Sequence, residues 1–95
     1  MLSSYYQATV TNASALAITA APKRRRITLY SPQAGQITVS QRPPVSLGAG
    51  INLFPGQPPI VIGGPDNKGM AEGNFFAISD SALGRTLAFY EESDP

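Results

Sequence analysis

The run Lys23-Arg24-Arg25-Arg26 is the densest charge in the chain and the first candidate for chemistry. Four consecutive cations can dock on phosphate or on an acidic protein surface. Alternation along an extended backbone sends Arg24 and Arg26 to one face and Arg25 to the other. Two other readings compete. The cations can form a solvated strand start that discourages edge-to-edge aggregation. Alternatively, Arg26 can pair across strands with Glu91 or Glu92. Nucleic acid fits poorly. Four charges are few, and no stacking aromatic is interleaved with them; Tyr30, the nearest, lies beyond Ile27 and Leu29.

The acidic candidates are Asp66, Glu72 and Asp80. A Ca²⁺ site needs several converging oxygens, and their spacing matches no EF-hand loop. A glycosidase pair needs a sugar cleft, which a chain of 95 residues hardly encloses. Asp80-Ser81 reads better as a turn shaped by side-chain to backbone bonds. Gly48-Ala49-Gly50 and Gly63-Gly64-Pro65 look superficially like phosphate loops. Neither is followed by Gly-Lys-Ser/Thr or by a helical pattern, so both read as turns. The chain has no His and no Cys. That removes the usual general base, the imidazole ligand and every thiolate site. The expectation is a protein that is not an enzyme, with no catalytic residue, no metal and no cofactor. Asn12-Ala13-Ser14 is a formal glycosylation sequon and reads as a turn.

The elements that must position these residues are strands. Residues 26–31 alternate, with Ile27 and Leu29 on one face. Residues 36–40 alternate with Ile37 and Val39 inward. Pro32-Gln33-Ala34-Gly35 lies between them, so the two runs read as a β-hairpin. Residues 50–54, 59–62, 74–79 and 85–91 follow as further strands, separated by Pro55-Gly56, the Gly63–Gly73 stretch and the turn 80–84. The last two read as an antiparallel pair. At the front, 5–10 and 16–20 are strands, with a helix over Ala13–Ala21 as the alternative. Residues 63–73 read as an exposed, mobile loop, a common place for contacts. Met1–Ser4 and Ser93–Pro95 read as loose ends. Adjacent rings at Phe75-Phe76 and Phe89-Tyr90 fall on opposite strand faces, so both faces can be covered.

This pattern predicts an all-β fold: a small antiparallel β-sandwich or jelly-roll-like barrel of about 7–8 short strands. Residues 1–21 are an N-terminal arm or the first strands, 22–92 the sandwich domain, and 93–95 a loose C-terminus. Composition agrees. Charged residues make up only 14%, against about 25% in an ordinary soluble domain, so part of the surface is expected to be covered by partners. Charge is also uneven. Residues 1–47 carry five cations and no acid, and residues 48–95 carry two cations and six acids. Such a split fits either head-to-tail contacts or internal cancellation between neighbouring strands. No apolar run approaches the ~20 residues of a membrane span, and the first residues show no secretory pattern. Synthesis in the cytosol is the expectation.

From Pro22 onward the order of motifs carries a family likeness. It runs through Pro22-Lys23-Arg24-Arg25-Arg26-Ile27-Thr28-Leu29-Tyr30-Ser31 and Gly35-Gln36-Ile37-Thr38-Val39-Ser40. It continues through Gly50-Ile51-Asn52-Leu53-Phe54-Pro55-Gly56, Phe75-Phe76-Ala77-Ile78-Ser79 and Arg85-Thr86-Leu87-Ala88-Phe89-Tyr90-Glu91-Glu92. This resembles the small β-sheet virion proteins of tailed bacteriophages. The likeness covers about residues 22–92. It implies a capsid decoration (cement) protein in the virion, bound to the major capsid protein or other virion proteins as a homo-oligomer, with a trimer as the family's habit. A tail, baseplate or head-fibre-base part is the alternative. A host-surface carbohydrate-binding module, using Tyr and Phe, is another. The family pattern carries no catalytic residue. The candidate protein contacts are Lys23, Arg24, Arg25, Arg26, Arg42, Asp66, Asn67, Lys68, Tyr5 and Tyr6. Docking through the basic run predicts salt-sensitive attachment.

Overall fold

The computed structural model describes residues 2–32, 35–63 and 68–94. The elements are β1 (Leu2–Val10), β2 (Ala15–Ile18), β3 (Arg24–Tyr30), β4 (Ile37–Ser40), β5 (Ile51–Leu53), β6 (Ile60–Gly63), α1 (Lys68–Glu72), β7 (Phe75–Ser79) and β8 (Arg85–Ser93). The eight strands form two four-stranded antiparallel sheets. One has the order β1-β8-β3-β6 and the other β2-β7-β4-β5. The protein is therefore an all-β sandwich. Ile27, Leu29, Leu87 and Phe89 from the first sheet close on Ile37, Val39, Leu53 and Phe75 from the second, and all are buried.

The winding is that of a jelly roll. β1 pairs with β8, β2 with β7, β3 with β6 and β4 with β5. These pairs are nested, like one long hairpin whose tip is residues 41–50. Wrapping the hairpin brings β8 against β3 and β7 against β4. Two local expectations fail for this reason. Residues 26–31 and 36–40 do alternate, but they lie in opposite sheets and face each other across the core. The same holds for β7 and β8. Only β4 and β5 pair as sequence neighbours.

Other departures are smaller. Residues 2–4 and 93–94 are not loose: Leu2 lies opposite Ser93 in the β1–β8 ladder, and Asp94 N–H donates to the Lys23 carbonyl at 2.9 Å, while Met1 and Pro95 lie outside the described residues. Residues 1–21 supply first strands rather than a free arm, and the Ala-rich stretch is the strand β2. Part of the 63–73 stretch is α1, which packs Ala71, fully buried, against β3 and β6. A five-residue helix is unstable by itself. Here the carbonyls of its last three residues, and that of Gly73 just beyond, are taken. Gln41 Nε2 donates to Met70 O, Arg24 to Ala71 O and Gly73 O, and Ala21 N–H to Glu72 O.

The outer faces of the two sheets differ. On the β2-β7-β4-β5 sheet, Thr38 points outward yet is fully buried. The 41–50 tip folds over it. Gly48 N–H donates to Thr38 Oγ1 at 2.9 Å, and Val45 N–H reaches Ser14 Oγ at 2.8 Å, just before β2. These anchors carry the tip across the sheet, and Val45 is buried beneath it. Among the described residues nothing covers the outer face of the β1-β8-β3-β6 sheet in this way.

Gly63 marks the closest approach in the fold. Its φ of 100° lies in the region that disfavours side chains. A Cβ there would collide with the Arg25 carbonyl and sit 2.8 Å from the Ala71 Cβ. Gly63→Ala should cost roughly 1–3 kcal/mol, since both backbone strain and a steric overlap arise. A urea titration should show a lower midpoint with an unchanged slope.

Candidate functional site

The basic run does not form a stripe. A register shift between Arg24 and Arg26 in the β3–β8 ladder breaks the simple alternation. Arg24 turns into the molecule and is 1% exposed. Its Nη1 lies 2.7 Å from Glu91 Oε1 and 3.1 Å from the Thr19 carbonyl. Its Nε donates to Ala71 O, and its Nη2 to Gly73 O at 2.7 Å. The guanidinium carbon sits 5.7 Å from the centre of the Phe75 ring, within cation–π range. Arg24 thus has no surface to offer a partner, which corrects its assignment as a contact residue. Arg25 pairs with Asp94 and Arg26 with Glu92, the latter at 3.5 Å. The strand-to-strand pairing weighed for Arg26 is present. The split between a basic and an acidic half is cancelled here, along β3 and β8.

The remaining candidates scatter. Lys23 and Arg42 are exposed, and neither makes an ion pair among the described residues. Asp66 and Asn67 lie outside the described residues. Lys68 opens α1. Asp80 is held by Arg85 Nε at 3.0 Å. That guanidinium keeps the Asp80 carboxyl below its usual range, helped by a backbone bond at Gln36 and opposed by partial desolvation. The turn beside it is shaped by Ser79: its Oγ donates to Val10 O at 2.6 Å and accepts the Ser81 N–H at 3.3 Å.

Tyr5 and Tyr6 part company, as adjacent strand residues must. Tyr6 lies on the core side of the sheet at the open flank, stacked on Phe89 with ring centres 5.5 Å apart, and is 48% exposed. Tyr5 lies on the uncovered outer face. It stands directly opposite Tyr90 in the ladder, with ring centres 4.7 Å apart. Tyr90 in turn stacks on Tyr30 from β3 at 6.0 Å. Tyr30 donates a hydrogen bond to the Tyr5 hydroxyl at 3.3 Å, which also accepts from Gln7 Nε2 at 2.8 Å. Three strands therefore build one tyrosine cluster. Val61 on β6, opposite Thr28, extends the same face and is 56% exposed.

Only Tyr5 of this cluster stands among the sequence candidates. Residue parity could place Tyr30 and Tyr90 outward, because each has the opposite parity to its buried neighbours Leu29 and Phe89. Their meeting with Tyr5 depends on the order β1-β8-β3, which no local pattern carries. The cluster has an electrostatic signature. Bonds to Tyr5 and then to Tyr90, with some desolvation, push the Tyr30 hydroxyl well above the usual tyrosine value of 10.0.

Among the described residues, pockets open at the flanks of the sandwich. One, about 210 Å³, lies between β4, β5 and α1 and is lined by Val39, Ile51, Ile62, Met70 and Phe75, with Ser40, Gln41 and Gly50. Another, about 190 Å³, lies between β1 and β2 and is lined by Thr, Ala, Val10 and Leu16. Neither contains an ionisable side chain, so neither offers acid–base chemistry. Among the described residues no group of three His, Cys, Asp or Glu side chains comes together as metal ligands would. The arrangement is suited to contact.

The chain matches no protein-family model, no curated protein and no solved structure.

Two outcomes follow from this geometry. Arg24→Ala should cost about 3–5 kcal/mol, because it strands Glu91 and three interior carbonyls. Arg25→Ala, at a largely exposed pair, should cost no more than about 1 kcal/mol. Chemical denaturation of both variants makes the comparison. The second outcome concerns pH. A raised Tyr30 value favours the neutral hydroxyl in the folded state. Its contribution to stability is complete below pH 10.0 and is lost as pH rises through the higher folded value. In an alkaline absorbance titration, one of the four tyrosines should ionise after the others, and Tyr5→Phe should bring it forward.

Proposed function

We propose that the chain is a structural protein of a bacteriophage particle, a capsid decoration protein that stabilises the head by covering junctions between capsid subunits. The observation that carries this reading is the uncovered tyrosine face. Tyr5, Tyr30, Tyr90 and Val61 present a flat apolar surface on a rigid sheet, while the opposite sheet is closed by the chain's own tip. Tyrosine is favoured at interfaces because it buries a large ring and keeps a polar tip. The likeness to phage virion proteins over residues 22–92 supplies the partner: the major capsid protein, or another virion protein. Work is done by burial, and many symmetric copies add avidity.

The internal pairing of Arg24, Arg25 and Arg26 changes the expected attachment. The tyrosine face, rather than the basic run, is the docking surface, so salt should matter little. A tail, baseplate or head-fibre-base position uses the same surface at a different address. A carbohydrate-binding module is the second reading, favoured by the clustered rings beside Gln7.

Particles from the source would be analysed by quantitative mass spectrometry, counting this chain against the major capsid protein. Decoration expects a count near one per capsid subunit. A few tens of copies would move the protein to tail or fibre, and absence from particles would overturn the virion reading. With isolated particles, Tyr5→Ala combined with Tyr90→Ala should weaken attachment at least tenfold, about 1.4 kcal/mol. Raising salt from 0.1 M to 1 M, which shortens the screening length from about 10 to about 3 Å, should change attachment far less. A steep loss with salt would return the docking role to Lys23 and Arg42. Binding on a glycan array would favour the carbohydrate module.

A further inference from the structure

Four strands lie at sheet edges: β1 and β6 in one sheet, β2 and β5 in the other. An edge exposes unpaired backbone donors and acceptors, and stable proteins blunt such edges with short strands, bulges, charges or proline. Three edges here are blunted. β5 has three residues and β6 has four, the latter preceded directly by Pro58-Pro59. β2 has four residues and a register shift. β1 is different. It has nine residues, Leu2-Ser3-Ser4-Tyr5-Tyr6-Gln7-Ala8-Thr9-Val10, without a charge or a proline. Its ladder with β8 is unbroken over all nine. It is a long, uncharged edge with no strand paired on its outer side among the described residues, though Ser79 Oγ donates to Val10 O at its last residue.

We propose that β1 pairs with β1 of a second copy of this chain, antiparallel and centred on Tyr6, to join two four-stranded sheets into one of eight. The sequence of the strand commits to this occupant. Residues facing each other in a ladder share a sheet face, so a twofold pairing must match positions of equal parity. Centring on Tyr6 does so. It sets Leu2 opposite Val10, Ser3 opposite Thr9, Ser4 opposite Ala8, Tyr5 opposite Gln7, and Tyr6 opposite itself. The match is of like with like at the ends, apolar Leu2 with Val10 and hydroxyl-bearing Ser3 with Thr9. The hydrogen bond from Gln7 to the Tyr5 hydroxyl within one chain shows that these two side chains suit each other. With no charge on β1, two copies meet without repulsion.

The area is adequate. Nine residues span about 30 Å, and on a molecule at least 19 Å across this flank offers roughly 600 Å² per partner, near the ~800 Å² of a standard interface. Tyr6, at 48% exposure, is the large side chain it would cover, while Tyr5 stays on the outer face beside Tyr90. A twofold interface closes on itself and leaves no further unguarded edge. This inference is independent of the phage reading, and its symmetry is twofold where the family habit is threefold.

The test begins with the full chain in analytical ultracentrifugation. The expected species is a dimer of twice the 10.0 kDa chain mass. Because the chain has no Cys, an introduced Cys reports one position only. Tyr6→Cys should give a covalent dimer on mild oxidation, while Leu83→Cys, at the 96% exposed β7–β8 turn, should not. Ser3→Cys and Thr9→Cys are both at exposed positions that leave the core intact. Mixed together they should crosslink as a heterodimer, and each alone should not. Tyr6→Lys should weaken association at least tenfold, and mixing it with Tyr6→Glu should restore it. A monomer at millimolar concentration would overturn the proposal. So would an oligomer that fails to crosslink through Tyr6→Cys, or one in which Ser3→Cys and Thr9→Cys do not meet.

Discussion

The guanidinium of Arg24, which is 1% exposed, has to satisfy its donors within the protein. Each of its bonds goes to a different part of the chain: Thr19 before β3, Ala71 in α1, Gly73 after it, and Glu91 in β8. The ring of Phe75 lies against it. One side chain therefore fixes the position of the short helix, the start of β7 and the registry of β8 against β3. A buried ion pair is weak support for stability in itself, because desolvation offsets much of the attraction. Its value here is positional. Removing any partner leaves a buried polar group unpaired, so alternative placements of α1 are penalised.

That fixed frame leaves the sandwich with two unlike faces. The 41–50 tip closes one sheet, and its contacts through Val45, Gly48 and Thr38 are internal to the chain. The other sheet keeps its tyrosines in reach of a partner, and its outermost strand keeps a free edge. The low charge content belongs with this geometry. Most of the charges that the chain does carry on β3 and β8 are paired with each other, so they are not available to solvate the tyrosine face.

Strand positions were legible in the sequence, and topology was not. Ile27 and Leu29, Ile37 and Val39 announced their inward face by alternation, and Phe89 next to Tyr90 announced two faces. Alternation is a local property and says nothing about which strand lies alongside. The Pro32–Gly35 connection looked like a hairpin turn because turn residues serve equally well for a crossing between sheets. Arg24 was misplaced for a related reason. A charge run reads as surface, and only the register shift beside it, set by contacts with β8, turns one arginine inward. The tyrosine cluster needed three strands from opposite ends of the chain, which no single stretch of sequence displays. α1 was hidden because it is only five residues long, with Gly69 among them, too short to hold a helix without partners for its carbonyls elsewhere in the chain.

The nested winding has a consequence for how the protein is made. In the first sheet the order is β1-β8-β3-β6, and in the second β2-β7-β4-β5. Every ladder joins a strand of the first four to a strand of the last four. While a ribosome is producing the chain, β1 to β4 emerge with no native strand partner among themselves, and the chain up to Ser40 carries four positive charges and no negative one. The ion-pair partners of Arg24, Arg25 and Arg26 arrive only with Glu91, Asp94 and Glu92. For these three arginines, unpaired charge is thus a feature of the nascent chain that is removed, pair by pair, once the second half arrives.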